Sequence, residues 1–101
     1  MLTVDHLRNK YIVSFYKVSR LNILNASEIE QKVLPIVNNP GTQLLINFSG
    51  IKFIDSAGFE TLLKIYRTSR INNATFKFIN VSDEIKELIK LVELEHIFEI
   101  A

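Results

Sequence analysis

Residues 44–59 read LLINFSGIKFIDSAGF, and this stretch decides the fold of the chain. It opens with a nearly continuous apolar run, Leu44–Phe48, which is typical of a central strand covered on both faces. Ser49-Gly50 forms a turn, and a second apolar stretch then leads to Asp55, where a helix begins. The stretch therefore predicts a buried strand that is connected to a helix through a polar turn.

The helix after this turn has an apolar stripe at the spacing of one helical face. The stripe consists of Phe59, Leu62, Leu63 and Tyr66. Upstream, Thr3–Leu7 and Tyr11–Val18 are predicted to be strands, the second rich in β-branched and aromatic residues. The short polar link between them predicts a hairpin.

Two further helices are expected, one on each side of this central region. Asn25 or Ser27 is expected to cap the first. Pro35 lies inside that helix, and because proline lacks an N–H and clashes with the preceding turn, we expect a kink or a break there. The last helix begins at Ser82, after a strand at Thr75–Val81.

These elements follow the order β-β-α-β-α-β-α, which is typical of an α/β fold. Strand–helix–strand units give parallel pairing and right-handed connections. The opening hairpin adds an antiparallel pair. The sequence therefore predicts a mixed β-sheet of about four strands with amphipathic helices, centred on Leu44–Phe48.

Composition limits the classes of function. With 101 residues, 48% of them hydrophobic, the chain fits a single domain at residues 1–101. A net charge of +1 favours neither nucleic acid as a direct partner nor an anionic membrane. Because there is no cysteine, disulfides and thiolate metal sites are excluded. No signal peptide or membrane span is recognisable, so we expect a cytoplasmic protein without membrane insertion.

The turn at residues 55–58 carries the most informative chemistry. Asp55 or Ser56 is expected to cap the helix by accepting N–H groups that otherwise lack partners, and Gly58 permits a close approach of backbone. A phosphate on Ser56 would lie where the helix dipole favours negative charge, and it would add about −1.5 to −2 charges beside Asp55. A plain cap is the commoner role of such residues, so the residue types alone leave both interpretations open.

Residues 48–59, FSGIKFIDSAGF, resemble the signature of the STAS family, the anti-sigma-factor antagonists and their relatives. The resemblance extends from the predicted hairpin through Leu21-Asn22 to residues 94–98. It implies a SpoIIAA-like fold without enzymatic activity. It also implies a partner that is both anti-sigma factor and serine kinase. The unphosphorylated antagonist binds this partner and frees the sigma factor, phosphorylation releases it, and a phosphatase resets it.

By this resemblance the phosphorylated residue is Ser56. The family often has Gly-x-Leu-Asp before the first helix; Ser19-Arg20-Leu21-Asn22 stands there in this chain, so Asn22 keeps local hydrogen bonding without the charge. Ala57 stands where many members have a second hydroxyl. The resemblance assigns the partner-binding surface to Asn22, Ile23, Leu24, Asp55, Ala57, Gly58, Phe59 and Glu60.

Ile23 and Leu24 are two apolar residues in a predicted loop. One of them packs into the core, or the pair forms an apolar contact for a partner. The sequence leaves these two interpretations open.

Two other functions are compatible with the residues. The Asp-Ser-Ala-Gly sequence also suits a constitutive STAS subunit of a lipid-transport ATPase complex. An isolated nucleotide-binding module is the third possibility, although no phosphate-binding loop supports it. His6 and His96 are expected at the surface, and no cofactor, metal ligand or catalytic residue is predicted. No neighbour in the sequence would activate Ser56 as a nucleophile.

Overall fold

The computed structural model of the protein describes residues 1–101 and contains seven strands and three helices. The strands are β1 (Leu2–Leu7), β2 (Lys10–Phe15), β3 (Arg20–Leu21), β4 (Gln43–Asn47), β5 (Phe53–Ile54), β6 (Thr75–Ile79) and β7 (Glu99–Ile100). The helices are α1 (Ala26–Val37), α2 (Ser56–Ile71) and α3 (Asp83–Leu91). Every predicted element is present with somewhat shifted ends, and β3, β5 and β7 are additional.

The main sheet has five strands in the order β1-β2-β4-β6-β7. β1 and β2 form the expected antiparallel hairpin, with Leu2 opposite Phe15 and Leu7 opposite Lys10. All other neighbours pair in parallel, as strand–helix–strand connections require. The predicted mixed α/β sheet with β4 at its centre is confirmed.

The helices cover only one face of this sheet. The strand order advances in one direction from β2 to β7, and right-handed connections along such an order place every helix on the same side. Burial alternates accordingly along β4, where Leu44 and Ile46 are fully buried but Leu45 and Asn47 are half-buried. The expectation that β4 is covered on both faces is therefore wrong.

The covered face supports a core of 19 buried apolar residues. Phe78 lies within an aromatic group, with its ring centroid 4.5 Å from that of Phe48, 5.2 Å from Phe76 and 4.8 Å from Phe98. Aromatic pairs at these distances stabilise the fold beyond their buried area. Because Phe98 comes from the C-terminal segment, this group also attaches β7 to the sheet.

Helix α1 continues to Val37, beyond Pro35, so the break expected at this proline is not found. Pro35 is exposed and lies in the last turn of the helix. Its missing N–H therefore removes one bond near a helix end, where water can reach the carbonyl left free. None of the three helices combines the length and the apolarity needed to cross a bilayer.

A separate two-stranded sheet positions the polar turn. β3 and β5 pair in parallel, with Arg20 opposite Phe53 and Leu21 opposite Ile54. Leu21 and Ile54 are each only 1% exposed, so this small sheet is anchored in the core. Only Asp55 separates β5 from α2, and the segments that precede α1 and α2 therefore lie side by side.

Ile65→Ala is expected to lower the free energy of unfolding by about 2–5 kcal/mol, because large buried side chains leave a cavity when truncated. Ile65 lies in α2 and is 0% exposed. Ile71→Ala is the matched control in the same helix, at a residue that is 81% exposed, and it should change stability by less than about 0.5 kcal/mol. Urea denaturation measures the free energy of unfolding of both variants. Equal losses of stability in the two variants would contradict the orientation of α2.

Candidate functional site

Asp55 caps helix α2. Its backbone is extended (φ −92°, ψ −176°), and its Oδ1 accepts a hydrogen bond from the Gly58 N–H at 2.9 Å. This geometry satisfies one of the helix N–H groups that lack a partner within the helix. Ser56 is the first helical residue and is exposed, so its hydroxyl stands at the surface and is not needed for the cap.

Gly58 allows β3 to lie directly against the first turn of α2. A Cβ on Gly58 would lie 2.5 Å from the Leu21 carbonyl oxygen and 2.9 Å from Ile54 Cγ2. The same Leu21 oxygen accepts the Asp55 N–H at 3.0 Å. A residue without a side chain is therefore required at this position.

The loop between β3 and α1 is held by its two asparagines. Asn22 Oδ1 accepts the Leu24 N–H at 3.0 Å, and Asn25 Oδ1 accepts the Asn22 N–H at 2.9 Å. Asn25 also donates from Nδ2 to the Arg20 carbonyl at 2.7 Å, and it makes no side-chain cap on α1 although it is the N-cap residue. Asn22 thus supplies the local acceptor that an aspartate would supply, without the charge.

Ile23 and Leu24 extend into solvent from this loop. Ile23 is 75% exposed and Leu24 is 89% exposed, so neither packs into the core. Two adjacent apolar side chains at such exposure form a small patch that has no role in the core of the domain.

One hydrogen bond joins the loop to the polar turn. The Ile23 N–H donates to Asp55 Oδ2 at 3.3 Å, while Oδ1 of the same carboxylate caps α2. This bond holds the loop with the exposed apolar pair next to the residue that precedes Ser56. We use the name Ser56 surface for the exposed residues of these neighbouring segments, which are Arg20, Ile23, Leu24, Phe53, Ser56 and Glu60.

Two residues at this surface were not identified from the sequence. Phe53 is 43% exposed, and the Arg20 guanidinium lies over its ring at 5.9 Å from the centroid. Such a cation–π contact keeps an exposed aromatic ring in place. The two residues are far apart in the sequence, and only the β3–β5 register brings them together, so no local signal could have identified the pair.

The remaining residues assigned by the resemblance differ in exposure. Glu60 is exposed and Ala57 is half-buried, whereas Gly58 and Phe59 are buried. Gly58 and Phe59 therefore lie beneath the turn and support it from the interior of the domain.

The two histidines are not part of this site. His6 lies in β1 and His96 shortly before β7, at opposite edges of the sheet. No group of three or more histidine, aspartate or glutamate side chains is arranged to hold a metal ion.

The sequence profile of the STAS domain matches residues 5–101, which include most of the hairpin, the loop before α1, the polar turn and the C-terminal segment. The chain belongs to the STAS domain family. This STAS domain combines an antiparallel hairpin with parallel pairing in one sheet.

Solved structures have the same fold. An anti-sigma-factor antagonist domain protein from Planctomyces limnophilus is 19% identical, with 98% of this chain and 87% of that chain covered and a TM-score of 0.86. An anti-sigma factor antagonist from Mycobacterium paratuberculosis is 20% identical, with 99% and 83% covered and a TM-score of 0.80. The Bacillus cell fate determinant SpoIIAA in its phosphorylated form is 16% identical, with 100% and 91% covered and a TM-score of 0.74.

Gly58→Ala tests the close approach of β3 in this STAS domain. In an unobstructed helix this replacement stabilises by about 0.5–1 kcal/mol. Here the new Cβ meets the Leu21 carbonyl oxygen, so we expect a net loss of about 1–3 kcal/mol in the free energy of unfolding. Denaturant unfolding gives the value, and a variant more stable than the wild type would rule out the obstruction.

Proposed function

We propose that this STAS domain is an anti-sigma-factor antagonist that is controlled by phosphorylation of Ser56. In its unphosphorylated form it binds an anti-sigma factor that is also a serine kinase, and this binding frees the sigma factor. The observation that carries the proposal is the exposed Ser56 hydroxyl, which is not used by the cap and lies beside an exposed apolar pair. Solved relatives described as anti-sigma-factor antagonists support the same role.

The position of Ser56 suits a phosphate group. As the first residue of α2, it lies among backbone N–H groups that have no partner within the helix, and the helix dipole favours negative charge there. A phosphate would add about −1.5 to −2 charges and three acceptor oxygens at the centre of the partner-binding surface. A partner that docks on the surface with unmodified Ser56 would then dissociate, and removal of the phosphate by a phosphatase would restore binding.

The Ser56 surface suits a protein partner. Ile23, Leu24 and Phe53 offer apolar area, and Arg20 and Glu60 supply charges of both signs. A few anchor side chains that become buried on binding usually carry most of the binding energy of such interfaces. We place the function in the cytoplasm, with the domain as the substrate of its kinase and without a cofactor, catalytic residue or direct contact to nucleic acid.

Affinity capture of the tagged protein from its own cells tests the proposal. We expect a serine kinase among the captured proteins, and intact-mass analysis should show a phosphate-sized increment that disappears in Ser56→Ala. Ser56→Ala should still capture the kinase, whereas Ser56→Asp should bind at least about tenfold more weakly, because its charge is permanent. Capture of an ATPase and a permease with unmodified Ser56 would instead favour the constitutive subunit of a lipid-transport complex.

Leu24→Ala should weaken binding of the captured kinase by about tenfold, because truncating a central apolar anchor costs about 1–2 kcal/mol. Leu91→Ala is the matched control, since Leu91 is 77% exposed at the end of α3 and Leu24 is 89% exposed. Both variants should unfold within about 0.5 kcal/mol of the wild type. Titration calorimetry measures the affinities, and equal affinity of the two variants would place the docking surface elsewhere.

A further inference from the structure

The Asp55 carboxylate uses its two oxygens for two different parts of the chain. Oδ1 accepts the Gly58 N–H in the first turn of α2, and Oδ2 accepts the Ile23 N–H in the loop before α1. The second bond spans 32 positions of sequence. It is the only hydrogen bond in the structure between residues 22–25 and residues 55–58.

The remaining hydrogen bonds of the loop do not reach α2. The Leu24 N–H is bonded to Asn22, the Asn22 N–H to Asn25, and the Asn25 side chain to Arg20. These bonds fix the shape of the loop, and β3 holds the start of the loop near α2 through the bond from the Asp55 N–H to the Leu21 carbonyl. Within the loop itself, the Ile23 N–H is the only group that is hydrogen-bonded to residues 55–58, so Asp55 Oδ2 holds the exposed Ile23–Leu24 pair beside Ser56.

We infer that Asp55 is a positioning residue that couples the charge state of Ser56 to the Ile23–Leu24 pair. The inference rests on the proposed function and adds its mechanism. A negative group on Ser56 repels the adjacent carboxylate and offers competing acceptors to the N–H groups at the start of α2. The Asp55 carboxylate then moves away from the position in which it accepts both hydrogen bonds, and the Ile23 N–H loses its acceptor. Phosphorylation thus removes the partner by added charge and also by releasing the apolar pair.

Asp55→Asn keeps one of the two hydrogen bonds of this side chain and removes the other. Asparagine is as good a helix cap as aspartate, so the Gly58 N–H keeps its acceptor. The second oxygen becomes an NH₂ group, which cannot accept from the Ile23 N–H. Exchange of the Ile23 amide hydrogen with solvent, measured by NMR, should become about tenfold faster, while the Leu24 amide keeps its wild-type rate.

Two variants complete this measurement. Asp55→Ala removes both bonds, so the amides of Ile23 and Gly58 should both exchange faster. Ser82→Ala is the matched control, because Ser82 caps α3 through the Ile85 N–H and its loss should leave the Ile23 amide unchanged. An Ile23 amide that exchanges at the wild-type rate in both Asp55 variants overturns the inference.

The coupling itself is tested by a double-mutant comparison. Ser56→Asp should speed exchange of the Ile23 amide by about tenfold in the wild-type background and have no further effect in Asp55→Asn. Ser49→Asp places the same charge on an exposed turn after β4 and should have no effect. An equal effect of Ser56→Asp in both backgrounds, or none in either, overturns the coupling.

These measurements need no partner, so they distinguish the inference from the proposed function. If no kinase binds but the Ile23 amide responds as expected, the coupling stands and the antagonist role fails. If the kinase binds and phosphorylates Ser56 but the Ile23 amide does not respond, the antagonist role stands and the coupling fails.

Discussion

The close packing of the Leu21 carbonyl group against the first turn of α2 is the contact on which the rest of the site depends. This oxygen accepts the Asp55 N–H and occupies the space that a side chain on residue 58 would need. Because Leu21 and Ile54 are both buried, the contact is anchored in the core. Removal of this packing would separate the loop before α1 from the start of α2, although the main sheet would remain paired.

The larger elements could be predicted because each carries a repeated pattern. The apolar run of β4 and the stripe of α2 indicated a buried strand and an amphipathic helix, and both are present. Strands of two residues such as β3, β5 and β7 are too short to show a period of two, so they were missed. The coverage of β4 on one face only could not be predicted, because an apolar run does not reveal the order of strands in the sheet and this order decides where helices lie.

The site was predicted less completely, because its decisive contacts connect distant residues. Aspartate and serine are almost equally good helix caps, so the sequence could not decide between Asp55 and Ser56. The stacking of Arg20 on Phe53 depends on the β3–β5 pairing, and the Ile23 N–H finds its acceptor on Asp55, 32 positions along the chain. Local sequence located the polar turn, and only the three-dimensional arrangement showed what the turn holds in place.

The assignment of the cap to Asp55 has an evolutionary consequence. The fold at this turn needs the aspartate and the glycine, whereas the serine between them contributes no bond to the cap. Under the proposed phosphorylation of Ser56, a single codon change there would turn a regulated domain into a permanently competent binding module and leave the cap intact. The reverse change would restore the phosphorylation site. One scaffold would thus serve both switched and unswitched domains.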